Sequence, residues 1–264
     1  MARSQTPRIE VEPLTTDSQF REAVGLQQTI WGFEEIELLP VRLFVTATKV
    51  GGQAFGAYAE GRMIAFCLAI PGMKTGPKQA AKPYLHSHML GVLPEYRNSG
   101  IGRGLKLRQR EDALARGIDL IEWTFDPLEI KNAYFNVERL GAIVRRFVRN
   151  QYGMTSSHLH GGLPTDRCTA EWWLSSTRVC NLLDGQRNEN PAIGDRIQVP
   201  ADIADIRRSQ PERARGIQAG IADRLETAFA QGLAIIGVEP TAEHGSYLLG
   251  RPERLLPGCG EPCT

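Results

Sequence analysis

Glycines and arginines are concentrated in one short segment, between an apolar stretch and a charged, helix-like stretch. Residues 92–104 read Val-Leu-Pro-Glu-Tyr-Arg-Asn-Ser-Gly-Ile-Gly-Arg-Gly. The pattern predicts a strand over Tyr84–Val92, then a glycine-rich turn that opens a helix from Ile101 to Arg116. Such a turn directs several backbone N–H groups at one point, where the helix dipole adds partial positive charge. The segment therefore predicts an anion site, and a phosphate is the anion that suits it best.

Two common phosphate-binding motifs do not fit this segment. A dinucleotide-binding fingerprint needs G-x-G-x-x-G, whereas the glycines here are Gly100, Gly102 and Gly104. A Walker loop needs Gly-Lys followed by Ser or Thr, and this turn does not contain that sequence. The pattern Arg/Gln-x-x-Gly-x-Gly/Ala does fit, from Arg97 to Gly102.

With its lead Val-x-Pro-Glu-Tyr-Arg at 92–97, this pattern resembles the acyl-CoA-binding segment of the GNAT superfamily of N-acyltransferases. The predicted order of strands and helices over residues 8–175 agrees with that superfamily. The resemblance implies an α/β GNAT fold, with helices flanking a mixed central sheet and a C-terminal helix–strand extension. It also implies acetyl-CoA or coenzyme A as co-substrate, and transfer of an acyl group, acetyl first of all, to an amine.

The resemblance further implies which residues hold coenzyme A. The pyrophosphate would accept hydrogen bonds from the turn amides, where glycines let the backbone approach closely, and two arginines would add charge. The strand before the turn would hydrogen-bond the pantetheine amides as a neighbouring strand does. The predicted coenzyme contacts are Leu90, Gly91, Val92, Arg97, Asn98, Ser99, Gly100, Ile101, Gly102, Arg103, Asn132 and Phe135.

A second family signature departs from the expected pattern. A helix is predicted over Leu128–Leu140, before Gly141, and in the family this helix carries a tyrosine that protonates the leaving thiolate of coenzyme A. Val137 occupies the expected position, and Tyr134 lies one turn earlier. The general acid is therefore either displaced to Tyr134 or missing, in which case Tyr134 fills the core.

Two residues could remove the proton from an ammonium substrate. His86 and His88 share one face of the strand before the turn, and His86 lies fourteen residues before Gly100. Several family members have a catalytic glutamate at that offset, and imidazole can accept a proton near neutral pH. Glu122 is the other candidate, because burial in an apolar strand would make it a better base. It could instead pair with an arginine such as Arg145.

Two His-x-His pairs, 86–88 and 158–160, also allow a zinc site. No neighbouring Asp or Cys completes a ligand set, so no metal is expected. His158 and His160 could instead line the acceptor pocket, together with Trp31, Phe33 and the acidic run 34–37. An acidic wall would suit a cationic amine, whereas the alternative for this run is a solvated helix end.

Composition limits the classes of partner. The chain has 264 residues, a formal net charge of +1 and 42% hydrophobic residues. This balance disfavours nucleic acid or an anionic membrane as the main partner, and no run of residues is long and apolar enough to span a bilayer. The five scattered cysteines and the N-terminal residues, which do not resemble a secretory signal, predict a cytoplasmic location. The expected partner is a small-molecule or peptide amine, and a homodimer is left open.

The chain is predicted to contain a GNAT core over residues 8–175, followed by a linker and a C-terminal extension that packs on the core (176–264). Asp17 is expected to cap the first helix. Residues 73–83 are predicted to form a mobile loop and residues 181–200 a linker, because both are rich in turn-forming residues.

A different class of function remains open. The substitution of Val137 for the family tyrosine favours a protein that binds acyl-CoA as a sensor or scaffold without turnover. A third alternative is nucleotide binding by the same glycine turn.

Overall fold

The structure, a computed structural model, describes residues 8–76, 79–157, 162–186, 188 and 191–256. It divides into two compact units, Met1–Ile118 and Asp119–Thr264. Within the described ranges, no helix is long and apolar enough to cross a membrane.

In the part of it that the structure describes, the first unit is a four-stranded antiparallel sheet with three α-helices packed on it. The strands follow one another in chain order across the sheet. Aromatic side chains fill the core, with the rings of Phe20, Phe44 and Phe66 at centroid distances of 6.0 Å from one to the next. The elements are β1 Ile9–Pro13, α1 Asp17–Trp31, α2 Val41–Lys49, β2 Gln53–Ala59, β3 Arg62–Gly76, β4 Gln79–Val92 and α3 Ile101–Ala115.

The cap of α1 lies one residue before the predicted position. The Thr16 side chain accepts a hydrogen bond from the Gln19 amide at 3.3 Å, and the Gln19 side chain accepts one from the Thr16 amide at 3.1 Å. This reciprocal pair is a capping box. The prediction that Asp17 caps the helix is therefore wrong, because Asp17 is already helical and pairs with Arg21 at 2.6 Å.

The predicted mobile loop at residues 73–83 is wrong in its described part. β3 and β4 continue through it as a paired arm, in which Met73 lies opposite Pro83 and Lys74 opposite Lys82. The Lys74 ammonium also lies 5.7 Å from the centre of the Tyr84 ring. Main-chain pairing formed this ladder despite a composition that is typical of loops, since the ladder uses backbone groups.

β4 also contains a β-bulge. Leu68 on β3 lies opposite Met89, and Ala69 lies opposite Ser87, so that His88 is the extra residue. A bulge bends its strand and redirects the neighbouring side chains.

In its described residues, the second unit contains six strands and four α-helices. Its strand order is β5-β7-β6-β9-β10-β8, and each neighbouring pair is antiparallel. The elements are β5 Leu120–Phe125, α4 Ile130–Tyr134, β6 Ile143–Val148, β7 Arg167–Trp173, α5 Thr177–Leu183, β8 Ile193–Pro200, α6 Ile203–Ser209, α7 Pro211–Ala230, β9 Ala234–Pro240 and β10 His244–Gly250.

The segment predicted as a linker, 181–200, contains the end of α5 and all of β8. In β8, Ile197 and Val199 are buried, whereas Gln198 between them and Arg196 before them are exposed. This alternation covers only two buried residues, which is too short to stand out in a polar, glycine-containing stretch. The predicted core boundary at residue 175 stays a prediction.

The helix predicted over 128–140 is shorter and of two kinds. α4 ends at Tyr134, and Phe135–Arg139 forms a π-helical turn. The Leu140 amide donates to the Phe135 carbonyl at 3.1 Å, and the Ala142 amide donates to the Asn136 carbonyl at 3.0 Å. Gly141 follows with φ +82°, the left-handed geometry for which glycine is favoured. π-helical turns are rare and often occur at functional sites.

Candidate functional site

The glycine turn of the first unit is exposed and closed by its own hydrogen bonds. Asn98 and Gly100 adopt left-handed backbone angles, with φ +61° and +86°. The Ser99 hydroxyl donates to the Tyr96 carbonyl at 2.5 Å, and the Arg97 Nε donates to the Val92 carbonyl at 3.2 Å. These bonds hold the end of β4 and the start of α3 in a fixed relation.

The start of α3 presents backbone donors. Its first turn is closed by the Gly104 amide, which donates to the Gly100 carbonyl at 3.0 Å. The amides of residues 101–103 precede that bond and have no partner within a helix of this geometry. Such amides, with the helix dipole behind them, favour an anion.

Gly102 leaves room beside these donors. A Cβ atom built there would meet only the side chains of Leu90 at 3.6 Å and Val92 at 3.9 Å, which are ordinary contacts. The packing of the protein therefore does not require glycine at this position. The approach of a ligand to the backbone is a physical reason for one.

Gly91 has a different role from Gly102. A Cβ atom there would lie 2.6 Å from the Trp31 ring and 2.8 Å from Ile30. Glycine is therefore needed for the packing of α1 on β4. A pantetheine contact at residue 91 would have to use the backbone.

The two histidines of β4 lie close together around the bulge. The His86 and His88 rings are 5.9 Å apart between centroids, and both side chains are half-buried. Burial lowers the pKa of His88, which favours the neutral imidazole. The prediction that both residues share one face of the strand agrees with this ring contact.

A buried polar cluster lies at the neighbouring position of β4. Lys106 on α3 is 3% exposed, and its Nζ donates to the Ser87 hydroxyl at 2.9 Å. The Ser87 hydroxyl donates in turn to the Gln109 side chain at 3.0 Å. Burial lowers the pKa of Lys106 to about 7. Sequence reasoning missed this cluster, although Lys106 lies on the helical face that also contains Leu105, Gln109 and other buried residues.

Glu122, the second candidate base, lies in the second unit and is paired. It is 2% exposed, and its Oε1 lies 2.6 Å from the Arg146 Nη2. Glu171 lies directly opposite on β7 and pairs with both Arg145, at 2.6 Å, and Arg146, at 3.3 Å. The alternative that Glu122 pairs with an arginine is confirmed, but the arginine is Arg146 and not the suggested Arg145. A register shift between Val144 and Arg146 makes Arg145 the extra residue, so that Arg146 reaches Glu122.

α4 and the π-turn carry the other predicted site residues. Tyr134 is 37% exposed and does not fill the core, whereas Val137 is completely buried. Asn132 is exposed and Phe135 is half-buried. The side chain at the family's usual tyrosine position is therefore inaccessible to a ligand, while Tyr134 is accessible to solvent.

The residues suggested for an acceptor wall are partly described. Trp31 stacks on Phe33 with centroids 5.7 Å apart, and Glu35–Glu37 forms a short 3-10 turn in which Ile36 is 91% exposed. His158 and His160 lie outside the described residues. Among those that the structure does describe, no three His, Cys, Asp or Glu side chains are grouped so as to hold a metal ion. The expectation of no metal stays a prediction.

Comparison with known proteins gives a family and a fold. The model of the acetyltransferase (GNAT) family matches residues 20–141, and no curated protein matches the chain. The chain is similar to Arabidopsis thaliana NAA60 in complex with a bisubstrate analogue, with 14% identity and TM-score 0.50 over 63% of this chain and 99% of that chain. For NAA60 in complex with acetyl-CoA the identity is 13% and the TM-score 0.50, over 63% and 99% of the two chains.

A third similar structure is the ribosomal-protein-S18-alanine N-acetyltransferase from Escherichia coli, at 16% identity and TM-score 0.47 over 62% of this chain and 92% of that chain. The glycine turn lies within the segment that the family model matches, and the NAA60 structures share the fold. The chain has the α/β GNAT fold, and its residues 20–141 match the model of the GNAT acetyltransferase family.

Proposed function

We propose that this protein binds acetyl-CoA through the glycine turn and transfers the acetyl group to an amine of a small molecule or peptide. The observation that carries the proposal is the start of α3. Three amides there precede the first helical hydrogen bond, beside a glycine that packing does not require. The pyrophosphate of coenzyme A is an anion of suitable size and charge for these donors.

The similar structures support the choice of donor. NAA60 was solved with acetyl-CoA and with a bisubstrate analogue. These complexes indicate a donor to test first and do not identify the acceptor of this chain. A cytoplasmic location and a homodimer stay predictions.

For the base, the contacts favour His86 over Glu122. The Glu122 carboxylate lies 2.6 Å from the Arg146 guanidinium and is 2% exposed, so an ammonium substrate has little access to it. His86 is half-buried on the bulged strand. It would take a proton from the ammonium substrate, whose nitrogen then attacks the thioester carbonyl, and the C–S bond breaks to release the thiolate. That Tyr134 protonates this thiolate stays a prediction.

Binding is tested by two glycine substitutions in one helix. Gly102→Val places a branched side chain beside the turn amides, and Gly104→Val places the same side chain in open space. Both substitutions change helix propensity by a similar amount, so they differ in their effect on the ligand site. We expect calorimetry to show coenzyme A affinity reduced at least about tenfold by Gly102→Val alone. Equal affinity for all three proteins would contradict the proposed site.

Turnover separates the transferase from a sensor. The specific observation that favours a sensor is Val137, which is buried where the family has its tyrosine. A transferase releases free thiol from acetyl-CoA when an amine library contains its acceptor, and His86→Gln should lower kcat at least about tenfold. Coenzyme A binding without thiol release above the hydrolysis background would favour the sensor.

A further inference from the structure

Residues 126–141, which we call the helix segment, carry Asn132, Tyr134 and Phe135. The segment consists of a turn, the five-residue helix α4 and the π-turn. A helix of this length does not persist in water by itself, and π-turns are rare because they loop out a residue. Contacts from outside the segment must therefore hold it.

At the start of the helix segment, a buried arginine of α6 makes two ion pairs. The Asp126 carboxylate accepts a hydrogen bond from the Leu128 amide at 2.8 Å and one from Arg207 at 2.6 Å. The same guanidinium donates to Glu129 at 2.8 Å, and the Arg207 side chain is 4% exposed. Arg207 thus links Asp126, which closes the turn, with Glu129, which directly precedes α4.

Strand β10 contacts the same turn and helix. The completely buried Tyr247 hydroxyl donates to the Pro127 carbonyl at 2.6 Å. Gly245 lies so close to Ile130 that a Cβ atom would collide with its side chain. The missing side chain at residue 245 lets α4 pack directly on the backbone of β10.

At the end of the helix segment, α5 and β9 bond the π-turn. The Glu138 carboxylate accepts a hydrogen bond from the Val238 amide at 2.7 Å. The buried Arg178 donates to the carbonyls of Val137 at 3.3 Å, Gly141 at 3.2 Å and Ile236 at 2.9 Å. These bonds satisfy backbone oxygens that a regular helix end would leave to water.

All of these outside contacts come from residues after the family match ends at residue 141. Buried guanidinium groups cost desolvation energy and are retained where they fix one geometry. Here that geometry belongs to the one segment that carries an exposed tyrosine next to a π-turn. The C-terminal extension therefore does more than lengthen the sheet.

We infer that Arg207 and Tyr247 are positioning residues for the proposed acyl-transfer site, because they fix α4 and with it Tyr134 and the predicted coenzyme contacts Asn132 and Phe135. This inference rests on the proposed function for the chemistry that the positioning serves. The contacts themselves do not depend on that function, so the two can fail separately.

The first experiment measures backbone hydrogen exchange in the full chain without ligand. The variants are Arg207→Met and Tyr247→Phe, and the matched control is Arg208→Met, an exposed neighbour on α6 that pairs only locally with Asp205. We expect exchange at the amides of Leu128 and Ala133 to rise at least about tenfold in both variants and to stay unchanged in the control. Unchanged exchange in both variants would overturn the inference. Tyr247→Phe removes one oxygen atom and serves if Arg207→Met does not fold.

The second experiment separates positioning from a loss of folded enzyme. Misfolding lowers the apparent kcat but leaves the KM of the surviving molecules unchanged. We expect Tyr247→Phe to raise the KM for acetyl-CoA about fivefold. The thermal midpoint of Arg208→Met is the reference against which the stability of Tyr247→Phe is compared. Faster exchange with an unchanged KM would overturn the positioning role. If the unmodified protein does not bind coenzyme A, the proposed function fails, and the exchange data alone decide whether Arg207 and Tyr247 hold the segment.

Discussion

At the scale of single residues, buried ionisable side chains have two kinds of surroundings. Glu122 and Glu171 face each other across β5 and β7 and are neutralised by arginines of β6. Lys106 is instead buried against a serine hydroxyl, and burial lowers its pKa to about 7. The two carboxylates thus lie beside cations, whereas the burial of Lys106 favours loss of its proton.

The lysine makes stability depend on pH. Its pKa is lowered from 10.5 to about 7 on folding, so between these values the unfolded chain binds a proton that the folded chain does not. Stability therefore rises with pH from 7 to 10.5, and the full penalty applies below pH 7. Lys106→Met removes this penalty.

We expect Lys106→Met to increase the free energy of unfolding, relative to the unmodified protein, by about 2 kcal/mol more at pH 6 than at pH 9. Urea unfolding at the two pH values measures this difference. The exposed Lys49, changed to Met, is the control and should show no such pH dependence. A difference that is the same at both pH values would show that Lys106 is charged in the folded protein throughout.

The paired carboxylates give a second residue-scale prediction. Arg146→Met leaves Glu122 buried without its cation and should cost about 3 kcal/mol in the free energy of unfolding. Arg149 directly follows β6. Arg149→Met breaks exposed pairs with Asp223 and Glu226 and should cost less than about 1 kcal/mol. Equal losses for the two variants in urea titrations would mean that the burial of Glu122 does not raise the cost of removing its arginine.

At the scale of elements, irregular backbone decides where the site residues lie. The bulge in β4 makes His88 the extra residue, and the shift in β6 makes Arg145 the extra residue. The π-turn ends α4 at Tyr134, three residues before the buried Val137. The pattern of residues predicted strands and a helix at these places. It did not predict the irregularities, because inserting one residue hardly changes the apolar alternation of a sequence.

The contact between β10 and α4 gives an element-scale prediction. Gly245→Ala should destabilise the chain by about 2 kcal/mol, because its methyl group would meet the Ile130 side chain. Ile130→Ala opens space at that point. We therefore expect the double variant to be more stable than the sum of the two single losses, by about 1 kcal/mol. Simple additivity in thermal or urea unfolding would show that β10 and α4 do not meet as described.

At the scale of the whole molecule, the boundary between the compact units falls within the family segment. The units divide at Ile118 and Asp119, whereas the family match runs from residue 20 to 141. The second unit contains the rest of that segment and the C-terminal extension, and β6 pairs with β9 through Val144 and Ile235. The extension thus shares a sheet with strands that precede residue 175.

This arrangement predicts the result of a truncation. A chain that ends at Ser175 loses Arg178, Arg207 and Tyr247 and exposes the edge of β6, including the buried Ile143 that packs with residues 234 and 236. We expect it to show no cooperative thermal unfolding and to bind hydrophobic dye, while the full chain unfolds in a defined transition. A cooperative transition for residues 1–175 would support the predicted boundary at 175 as the limit of an independent core.

The sequence by itself determined the glycine turn, the order of most elements and the resemblance to the GNAT superfamily, because these follow from local signals. Glycines that tolerate left-handed angles, caps and apolar periodicity are properties of a few consecutive residues. Only the tertiary structure decided that Arg146 rather than Arg145 pairs with Glu122, that Lys106 is buried, and that the extension holds α4. Each of these depends on partners 19 to 120 residues apart in the chain, which are brought together by register shifts and packing that no local pattern encodes.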